Sequence, residues 1–466
     1  MKVHLVAICG SGMGALAGLL KEAGHDVTGS DRAFYPPMAE RLQAWGIPTR
    51  QGFEPAHIAS DTDLVIVGNV CRKDNPEAQG ALTRGLRVMS FPQALSEFFL
   101  AGKTSVVVAG THGKTTTAAL LSYLLLEAGR DPSFLVGGIP QNFGKSFHLG
   151  RGEVFVVEGD EYDTAFFDKR PKFIHYRPTI VVLTAVEFDH ADIYRDMEAY
   201  RAAFVTLLAL LPADGLLVAC ADDPEVRTLA KSAPCRVVSY GLNPDAAWSA
   251  ADIRPGEDAT RFSLVREGRQ VGTVTLPLAG RHNVTNCLGV LAAAEAMGVE
   301  AHRAAACLAG FAGVARRMEV RGTVGGVTVI DDFAHHPTKV RETVRAARDR
   351  YPDAHLVAVF EPRTNTSRRK FFQESYPDSF PGADEVVVVP PFDADKIPEA
   401  DRFDSAVLVE SLRRDGQKAS LCGSADAVVA DLSARLGPDA VVLIMSNGAF
   451  DNIHEKLLAA LQARQG

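Results

Sequence analysis

A glycine-bracketed loop between a predicted strand and a predicted helix is the segment best suited to chemistry. Residues 106–117 read Val-Val-Val-Ala-Gly-Thr-His-Gly-Lys-Thr-Thr-Thr, and a helical stretch follows from Ala118 to Ala128. Backbone N–H groups in such a loop point at an anion, Lys114 adds a mobile positive charge, and the Thr115 hydroxyl can hold Mg²⁺. The spacing is G-x-x-G-K-T instead of the standard G-x-x-x-x-G-K-T, but its place between strand and helix predicts a site for the phosphates of ATP.

A second glycine turn, Gly10-Ser11-Gly12-Met13-Gly14, follows the first predicted strand, Val3–Ile8. Glycines let the backbone approach a diphosphate closely, and Asp31 stands at the end of the next strand, where a carboxylate can accept a ribose hydroxyl. The G-x-G-x-G spacing departs from the dinucleotide fingerprint G-x-G-x-x-G. Three interpretations therefore stay open: NAD, another diphosphate such as a UDP-sugar, or a tight turn with no ligand.

Two further clusters end predicted strands near the phosphate loop. Glu158 closes the strand Val154–Val157 and opens the run Glu-Gly-Asp-Glu-Tyr-Asp. Carboxylates at the carboxyl ends of parallel strands lie beside a phosphate loop, so we expect Glu158 to hold Mg²⁺, a solvated acidic loop being the alternative. His190 follows the strand Ile180–Leu183. It could ligate a second Mg²⁺, orient a phosphate, or be an ordinary histidine.

Polar side chains also stand at a predicted helix start and after a predicted linker. Asn283 and Asn286 lie three residues apart at the start of a helix, and they can read the edge of adenine unless they are helix caps. Arg316 and Arg317 follow the linker Gly310–Gly313. Paired arginines beside a hinge would suit a moving clamp on a transferring phosphate.

Two later strand ends carry further candidate ligands. The run Asp-Asp-Phe-Ala-His-His-Pro at 331–337 follows the predicted strand Val327–Ile330, and Arg363 follows the strand Leu356–Phe360. Arg363 could hold a substrate carboxylate in a bidentate pair. Each charge alone could be an ordinary surface group, but together they fall on successive strand ends, where doubly wound sheets bind ligands.

Three stretches of the chain each alternate strand-like and helical segments, which predicts an α/β fold with doubly wound parallel sheets. The alternation fades near residues 91–102 and again at 310–313. We therefore predict three domains, over residues 1–101, 102–313 and 314–466.

Composition bounds the class of protein. The 466 residues carry a formal net charge of −8, which gives no support to nucleic-acid binding. Seven scattered cysteines, odd in number and without a C-x-x-C pair, predict reduced thiols in a cytoplasmic protein. The apolar runs are all shorter than the roughly 18 residues that a membrane span needs, so we expect no membrane partner.

Taken together, these motifs resemble the Mur ligase family of peptidoglycan synthesis. The resemblance covers essentially the whole chain, with the motifs in the same order. It implies a Rossmann-like N-terminal domain for a UDP-sugar, a central P-loop ATPase domain, and a doubly wound C-terminal domain for an amino acid or peptide. It also implies ATP and Mg²⁺ as cofactors.

The resemblance implies a role for each motif. Catalytic positions would be Lys114, Glu158, His190 and Arg317, and magnesium ligands would be Thr115, Glu158 and His190. ATP would contact Gly110, Thr111, His112, Gly113, Lys114, Thr115, Thr116, His282, Asn283, Asn286, Arg316 and Asp332. The UDP-sugar would contact Gly10, Ser11, Gly12, Met13, Gly14 and Asp31, and the peptide would contact His335, His336 and Arg363.

Within the family, the glycine turn and the D-D-x-x-H-H-P run indicate a member whose acid substrate is UDP-N-acetylmuramate. The stretches 30–38, 161–169, 361–366 and 445–448 resemble a member that joins this acid to a recycled, muropeptide-derived tripeptide, L-alanyl-γ-D-glutamyl-meso-diaminopimelate. The alternative is that the amine is free L-alanine. Either case implies an ATP-dependent ligase that forms a C–N bond through an acyl-phosphate and releases ADP and phosphate.

Two positions depart from the family pattern. Ala185 stands where the family usually has asparagine, and Phe204 stands where other members carry a carbamylated lysine that braces magnesium. From the residues alone, two other classes of function stay open. One is a nicotinamide dehydrogenase, which rests on the segment 10–31, and the other is a non-catalytic binding module that nucleotide would switch.

Overall fold

Continuous apolar strands alternate with helices along the chain, and the strands form three main sheets. The computed structural model describes residues 1–465. Strands buried on both faces need apolar residues at every position, and the segment Leu64–Val67 (Leu-Val-Ile-Val) is buried throughout. Parallel strands of this kind place their carboxyl ends along one edge, where ligands bind.

The N-terminal sheet has five parallel strands: β1 (Lys2–Val6), β2 (Asp26–Asp31), β3 (Thr49–Gln51), β4 (Leu64–Val67) and β5 (Arg87–Ser90). Their order is β3-β2-β1-β4-β5, so the chain switches direction across the sheet next to β1. The loop after β1 therefore opens into the crevice at the switch point, a common ligand position in doubly wound sheets. Its helices are α1 (Ser11–Glu22), α2 (Met38–Ala44), α3 (Pro76–Thr83) and α4 (Phe91–Leu95).

The central sheet has ten strands in a mainly parallel arrangement that ends in antiparallel hairpins. The strands of this domain are β6 (Thr104–Ala109), β7 (Ser133–Leu135), β8 (Phe147–His148), β9 (Val154–Gly159), β10 (Asp163–Ala165), β11 (Asp168–Pro171), β12 (Ile180–Leu183), β13 (Leu216–Cys220), β14 (Arg236–Tyr240), β15 (Trp248–Arg254), β16 (Thr260–Arg266) and β17 (Arg269–Leu276). The sheet order is β17-β16-β15-β14-β13-β12-β6-β9-β7-β8, while β10 and β11 pair only with each other among residues 1–465. The helices are α5 (Lys114–Glu127), α6 (Met197–Leu208), α7 (Pro224–Ala230), α8 (Arg281–Ala296) and α9 (Ala301–Cys307).

The C-terminal sheet has six strands: β18 (Glu319–Val324), β19 (Val327–Asp332), β20 (His355–Phe360), β21 (Glu385–Val388), β22 (Lys418–Leu421) and β23 (Ala440–Met445). Their order is β18-β19-β23-β20-β21-β22, and only the β18–β19 pair is antiparallel. The helices are α10 (Pro337–Arg350), α11 (Ser405–Arg414), α12 (Ala425–Arg435) and α13 (Ile453–Ala463).

The predicted α/β alternation is confirmed, with corrections at the helix starts. Helix α5 begins at Lys114 instead of the predicted Ala118, and helix α1 begins at Ser11, inside the first glycine turn. In both cases the glycine turn closes directly into the first helical turn, so the chemistry-bearing residues are themselves helical. Their backbone N–H groups are therefore aligned with the helix axis.

The first strand of the C-terminal sheet is β18, whereas the sequence predicts that this segment opens at Val327–Ile330. Alternating exposed residues hide β18 from a search for apolar runs, since only one face of this edge strand is covered. Gly325 and Gly326, both at positive φ, turn the chain back into β19.

The apolar core shows which domains are joined firmly. One continuous buried cluster runs through the N-terminal and central domains, where the ring of Phe147 packs against Gly18 of α1 and edge-on against Trp45. The C-terminal domain keeps two clusters of its own, one on each face of its sheet. The segment 310–317 therefore links two bodies whose cores are separate.

Two features bear on the expectations from composition. All seven cysteines carry free thiols, as predicted. Among residues 1–465, the helices lack the combination of length and apolarity that crossing a bilayer requires.

Candidate active site

A cavity of about 530 Å³ lies where the three domains meet. Its walls combine the glycine turn after β1, the phosphate loop after β6 and the segment after β19, so residues distant in sequence share one space. The predicted site residues that line it are Gly10, Ser11, Gly12, Met13, Thr111, His112, Gly113, Lys114, Thr115, Thr116, Glu158, His190, Arg317, His335 and His336.

The phosphate loop joins β6 to α5 through two glycines in the left-handed region. Gly110 has a φ of +132°, and Gly113, the residue before α5, has a φ of +80°. An added Cβ atom would lie 2.3 Å from Thr184 Oγ1 at the first position and 2.6 Å from Asn286 Oδ1 at the second, so a side chain fits at neither. No side chain of the described residues caps α5. The first N–H groups of the helix are therefore open to an anion.

Lys114 and His190 are both held by Glu161, a buried carboxylate that the sequence pattern does not single out. Lys114 Nζ lies 2.9 Å from Glu161 Oε2, and His190 Nε2 lies 3.0 Å from Glu161 Oε1. Burial alone would lower the pKa of Lys114 and of His190 and raise that of Glu161. Their mutual attraction outweighs burial, so the pKa values of Lys114 and His190 are raised and that of Glu161 is lowered. The lysine cation is therefore fixed within the loop.

Thr115 and Glu158 form a pair of oxygen donors beside the loop. Thr115 Oγ1 donates to Glu158 Oε1 at 2.9 Å, and Glu158 Oε2 accepts from Gly137 N at 2.7 Å. Both side chains line the large cavity, and hydroxyl and carboxylate oxygens are the ligands that a hard cation prefers. The pair fits Mg²⁺. His190 Nε2 is engaged by Glu161, so His190 would be a third ligand through Nδ1 or after Nε2 left Glu161.

A second cavity, of about 250 Å³, adjoins the phosphate loop on the side of α8. It is lined by Thr116, His282, Asn283 and Asp332, which belong to three different elements. Burial lowers the pKa of His282 well below its usual value, and its Nδ1 has no hydrogen-bond partner within residues 1–465. A neutral ring edge beside an amide offers hydrogen bonds of the kind that a nucleobase uses. The predicted adenine motif therefore borders a cavity of suitable chemistry.

Asn283 and Asn286 lie inside α8, so the alternative that they cap the helix is wrong. The residue before the helix is Gly280. Asn283 Nδ2 donates to Ala279 O at 2.8 Å, and Asn286 Nδ2 donates to Asn283 Oδ1 at 3.3 Å. Because the amide of Asn286 also borders Gly113, the pair connects α8 to the phosphate loop.

The two adjacent arginines have different surroundings. Arg316 Nη2 donates to the carbonyls of Ser446 and Gly448 at 2.6 and 2.7 Å, and its Nε donates to Asp331 Oδ2 at 3.2 Å. Arg317 instead lines both cavities, and burial lowers the pKa of its guanidinium. Arg316 thus ties the strand ends of the C-terminal domain together, while Arg317 faces the space for a ligand.

Lys339 and Asn447 also line the large cavity, although the sequence pattern does not predict them as site residues. Lys339 lies on the first turn of α10 and borders the second cavity as well; burial, together with Arg317, lowers its pKa to about 8. Asn447 Oδ1 has no hydrogen-bond partner in the described part of the chain. A sequence signal existed for both: Lys339 lies two residues after Pro337 of the H-H-P run, and Asn447 belongs to a stretch that carries the family resemblance.

The glycine turn leads into α1, but the carboxylate predicted to read a ribose is already engaged. Asp31 Oδ2 accepts from Cys9 N at 2.8 Å, and Asp31 Oδ1 accepts from Arg32 N at 2.7 Å. Asp31 lines neither of the two cavities described above. Gly14 lies beneath Met38, whose sulfur leaves no room for a Cβ atom. Asp31 and Gly14 thus shape the turn, whereas residues 10–13 face the cavity.

The three residues predicted to bind a peptide are not together. His335 faces the large cavity. His336 also borders it but turns to the phosphate loop, where its ring centre lies 4.5 Å from that of His112. Arg363 lines neither cavity, and its guanidinium stacks 3.6 Å above the ring of Phe392.

Ala185 and Phe204, the two residues that depart from the family pattern, both have structural contacts near the phosphate loop. The backbone carbonyl of Ala185 accepts from Thr111 N at 2.7 Å and so supports the phosphate loop. Phe204 is fully buried and packs edge-on against Tyr200, whose hydroxyl donates to Glu161 Oε1 at 3.2 Å.

Three family models match successive parts of the chain. They are "Mur ligase family, catalytic domain" over residues 2–103, "Mur ligase middle domain" over 108–294 and "Mur ligase, glutamate ligase domain" over 316–448. Together the three models span nearly the full length of the chain, one after another. The chain belongs to the Mur ligase family.

Individual relatives extend over the same length. A UDP-N-acetylmuramate–L-alanyl-γ-D-glutamyl-meso-2,6-diaminoheptandioate ligase of Escherichia coli strain K12 is 39% identical over 463 residues, covering 99% of this chain and 98% of that protein. A UDP-N-acetylmuramate–L-alanine ligase of Symbiobacterium thermophilum is 35% identical over 474 residues, covering 99% and 95%. The crystal structure of a murein peptide ligase from Psychrobacter arcticus 273-4 matches with a TM-score of 0.73, 34% identity and 99% coverage of both chains.

These findings confirm the predicted three-domain α/β architecture and the predicted class of enzyme, a ligase. The alternative of a nicotinamide dehydrogenase is wrong. It explained only the first glycine turn, whereas the family match includes that turn and the phosphate loop in one chain.

Proposed function

We propose that this chain is an ATP-dependent amide ligase that joins UDP-N-acetylmuramate to the tripeptide L-alanyl-γ-D-glutamyl-meso-diaminopimelate, in the recycling of peptidoglycan. The observation that carries this proposal is the shared cavity, where the glycine turn, the phosphate loop and the segment after β19 meet. Similarity to a ligase of that name along 99% of the chain supports the same substrates. Its reduced cysteines and use of ATP suit the cytoplasm.

Each domain would bind one substrate, with boundaries as predicted at 1–101, 102–313 and 314–466. The free N–H groups of residues 10–13 would bind the diphosphate of the UDP-sugar. The base of ATP would lie by His282 and Asn283, and its phosphates at the loop before α5. The tripeptide would approach from the C-terminal domain, by His335 and Asn447.

In the first step, a lactyl carboxylate oxygen attacks the γ-phosphorus of ATP, the bond to ADP breaks, and an acyl-phosphate forms. Two anions must approach each other, so cations around the transferring group lower the barrier. Lys114, fixed by Glu161, and Arg317, on the cavity wall, are placed to do this. Thr115 and Glu158 would hold Mg²⁺, which neutralises charge on the phosphate oxygens.

In the second step, the alanyl amine attacks the acyl carbon, phosphate leaves with the electron pair of the broken bond, and the amine gives up a proton. An α-amine has an ordinary pKa of about 8, so a fraction of it is neutral at pH 7 and needs only modest help from a base. His335 faces the cavity and could receive the proton. Asn447 Oδ1, which is free to accept, could orient the amine.

An amine-competition assay tests the proposal. The purified chain, with UDP-N-acetylmuramate, ATP and Mg²⁺, is given either the tripeptide or L-alanine, and phosphate release and product mass are measured. We expect release that depends on the tripeptide and a product that contains it. Faster release with L-alanine would favour the second candidate, UDP-N-acetylmuramate–L-alanine ligase, which the 35% identical relative supports. Absence of release with both amines would contradict both functions.

A further inference from the structure

Two imidazoles and a carboxylate meet at the boundary between the central and C-terminal domains. His112 comes from the phosphate loop, Glu187 from the segment after β12, and His336 from the residue before α10. His112 Nε2 lies 3.1 Å from Glu187 Oε2, and His336 Nδ1 lies 3.5 Å from the same oxygen. One nitrogen or oxygen from each side chain lies within 4.8 Å of the others. The three potential ligand atoms therefore surround one point.

The hydrogen bonding of His336 leaves one lone pair directed at that point. His336 Nε2 lies 3.4 Å from the carbonyl oxygen of Phe188, and a carbonyl can only accept, so Nε2 carries a proton. A neutral imidazole carries a single proton, so Nδ1 keeps a free lone pair while Nε2 donates. Nδ1 is buried and has no hydrogen-bond partner within residues 1–465.

Glu187 Oε2 contacts both imidazole rings. It accepts from His112 Nε2 at 3.1 Å, whereas His336 Nδ1, 3.5 Å away, has a lone pair and no proton to donate to it. An unsatisfied buried polar atom is costly, because it has lost its hydrogen bonds to water. A divalent cation at this point would replace the Nε2 proton of His112 and accept lone pairs from both rings and from the carboxylate.

We propose that His112, Glu187 and His336 bind a divalent transition-metal ion such as Zn²⁺ or Co²⁺. Two imidazole nitrogens and one carboxylate oxygen are a frequent ligand set for such ions, whereas Mg²⁺ prefers oxygen ligands and would favour Thr115 and Glu158. The Phe188 carbonyl already supplies the outer hydrogen bond that orients a metal-bound histidine. His112 and His336 line the large cavity, which gives an ion access and room for a further ligand.

The site would join two domains, since His112 and Glu187 belong to the central domain and His336 to the C-terminal domain. A bound ion would therefore hold the C-terminal domain against the phosphate loop. This inference does not rest on the proposed ligase activity, because it follows from the ligand atoms alone.

A Co²⁺ titration of the full-length chain tests the site. Mg²⁺ is kept in excess to occupy oxygen sites, and binding is followed by equilibrium dialysis and by the visible d–d absorption of Co²⁺. We expect one ion per chain with a spectrum that lacks a thiolate charge-transfer band. The variants His336→Gln and Glu187→Gln each remove one ligand. Even the loss of a group that only hydrogen-bonds to a metal ligand weakens metal binding about 10- to 100-fold, so we expect each variant to lose at least about tenfold in affinity.

The matched control is His302→Gln, because His302 is exposed, with 74% of its side chain accessible, and lies outside the cavities. Retained binding in this control, with loss in the other two variants, would support the site. Equal binding in all three variants, a thiolate band, or no bound ion would each overturn it. Circular dichroism of the variants separates ligand loss from misfolding, since a folded variant without bound Co²⁺ supports the assignment.

Discussion

Two positively charged side chains line both cavities. Arg317 and Lys339 border both cavities, and burial lowers the pKa of each. Glu161 holds the third cation, Lys114. Holding like charges close together is costly unless an anion joins them. We therefore expect the triphosphate of ATP to bind beside these three side chains.

Lys339 offers a test that includes pH. A lysine with a pKa of about 8 is charged below pH 8 and neutral above it, so ATP affinity should fall as pH rises through that value. We expect Lys339→Ala to weaken ATP binding about tenfold or more, since a hydrogen bond to a charged group contributes about 1.5–3 kcal/mol. Calorimetric titration with ATP across pH measures both effects. The control Lys339→Arg should bind without the fall near pH 8, because a guanidinium stays charged. Wild-type affinity that is flat across this range would contradict the role.

The positions of the motifs could be predicted from the sequence, because each motif is defined by residues that are neighbours along the chain. The order of a strand, a glycine loop and a helix identified Lys114 and Thr115 as site residues, although it predicted them in the loop and the structure has them in the first turn of α5. Local order could not separate Arg316 from Arg317, because the difference arises from strand ends about 130 residues away in sequence. The same limit applies to His336, whose packing against the phosphate loop depends on how two domains meet.

At the scale of elements, a buried polar network joins β1, β2 and α3 of the N-terminal domain. Glu77 on α3 is fully buried, and its carboxylate lies 2.6 Å from His4 Nε2 and accepts from Ser30 Oγ at 2.6 Å. His4 Nδ1 in turn lies 2.8 Å from Thr28 Oγ1. The network sets the position of α3 beneath the sheet that carries the glycine turn. Apolar patterning could not reveal it, since Glu77 falls on a face that would otherwise be apolar.

Removing the centre of this network should destabilise the N-terminal domain. We expect Glu77→Ala to lower the free energy of unfolding by about 3–5 kcal/mol, because His4 and Ser30 lose their buried partner. Urea unfolding followed by the fluorescence of Trp45 measures this, in a Trp248→Phe background that leaves one tryptophan. Glu54→Ala is the control, since Glu54 is 71% exposed. A loss no larger than that of the control would contradict the network's importance.

At the scale of the whole molecule, the separate core of the C-terminal domain indicates where motion occurs. The N-terminal and central domains share one apolar cluster, so the link at 91–103 is stiffened by packing. The link at 310–317 has no such shared cluster across it within residues 1–465. Of the two links suggested by the sequence, we expect the second to be the hinge.

Ligand binding should therefore compact the protein. We expect ATP, Mg²⁺ and UDP-N-acetylmuramate together to reduce the radius of gyration, because Arg317 approaches the phosphates from across the hinge. Small-angle scattering with and without the ligands measures the change. Arg317→Ala should reduce the compaction, whereas Arg321→Ala, a change on the exposed β18, should not. Identical dimensions with and without ligands would contradict hinge closure.

The positive charges lie on both sides of the segment 310–317, and this bears on how ATP is protected from hydrolysis. Lys114 precedes the link, whereas Arg317 ends it and Lys339 follows it, so a nucleotide bound to the phosphate loop alone would be without two of the three cations. We expect water to hydrolyse bound ATP only slowly before the C-terminal domain closes. Little ATP would then be consumed when the sugar acid or the peptide is absent.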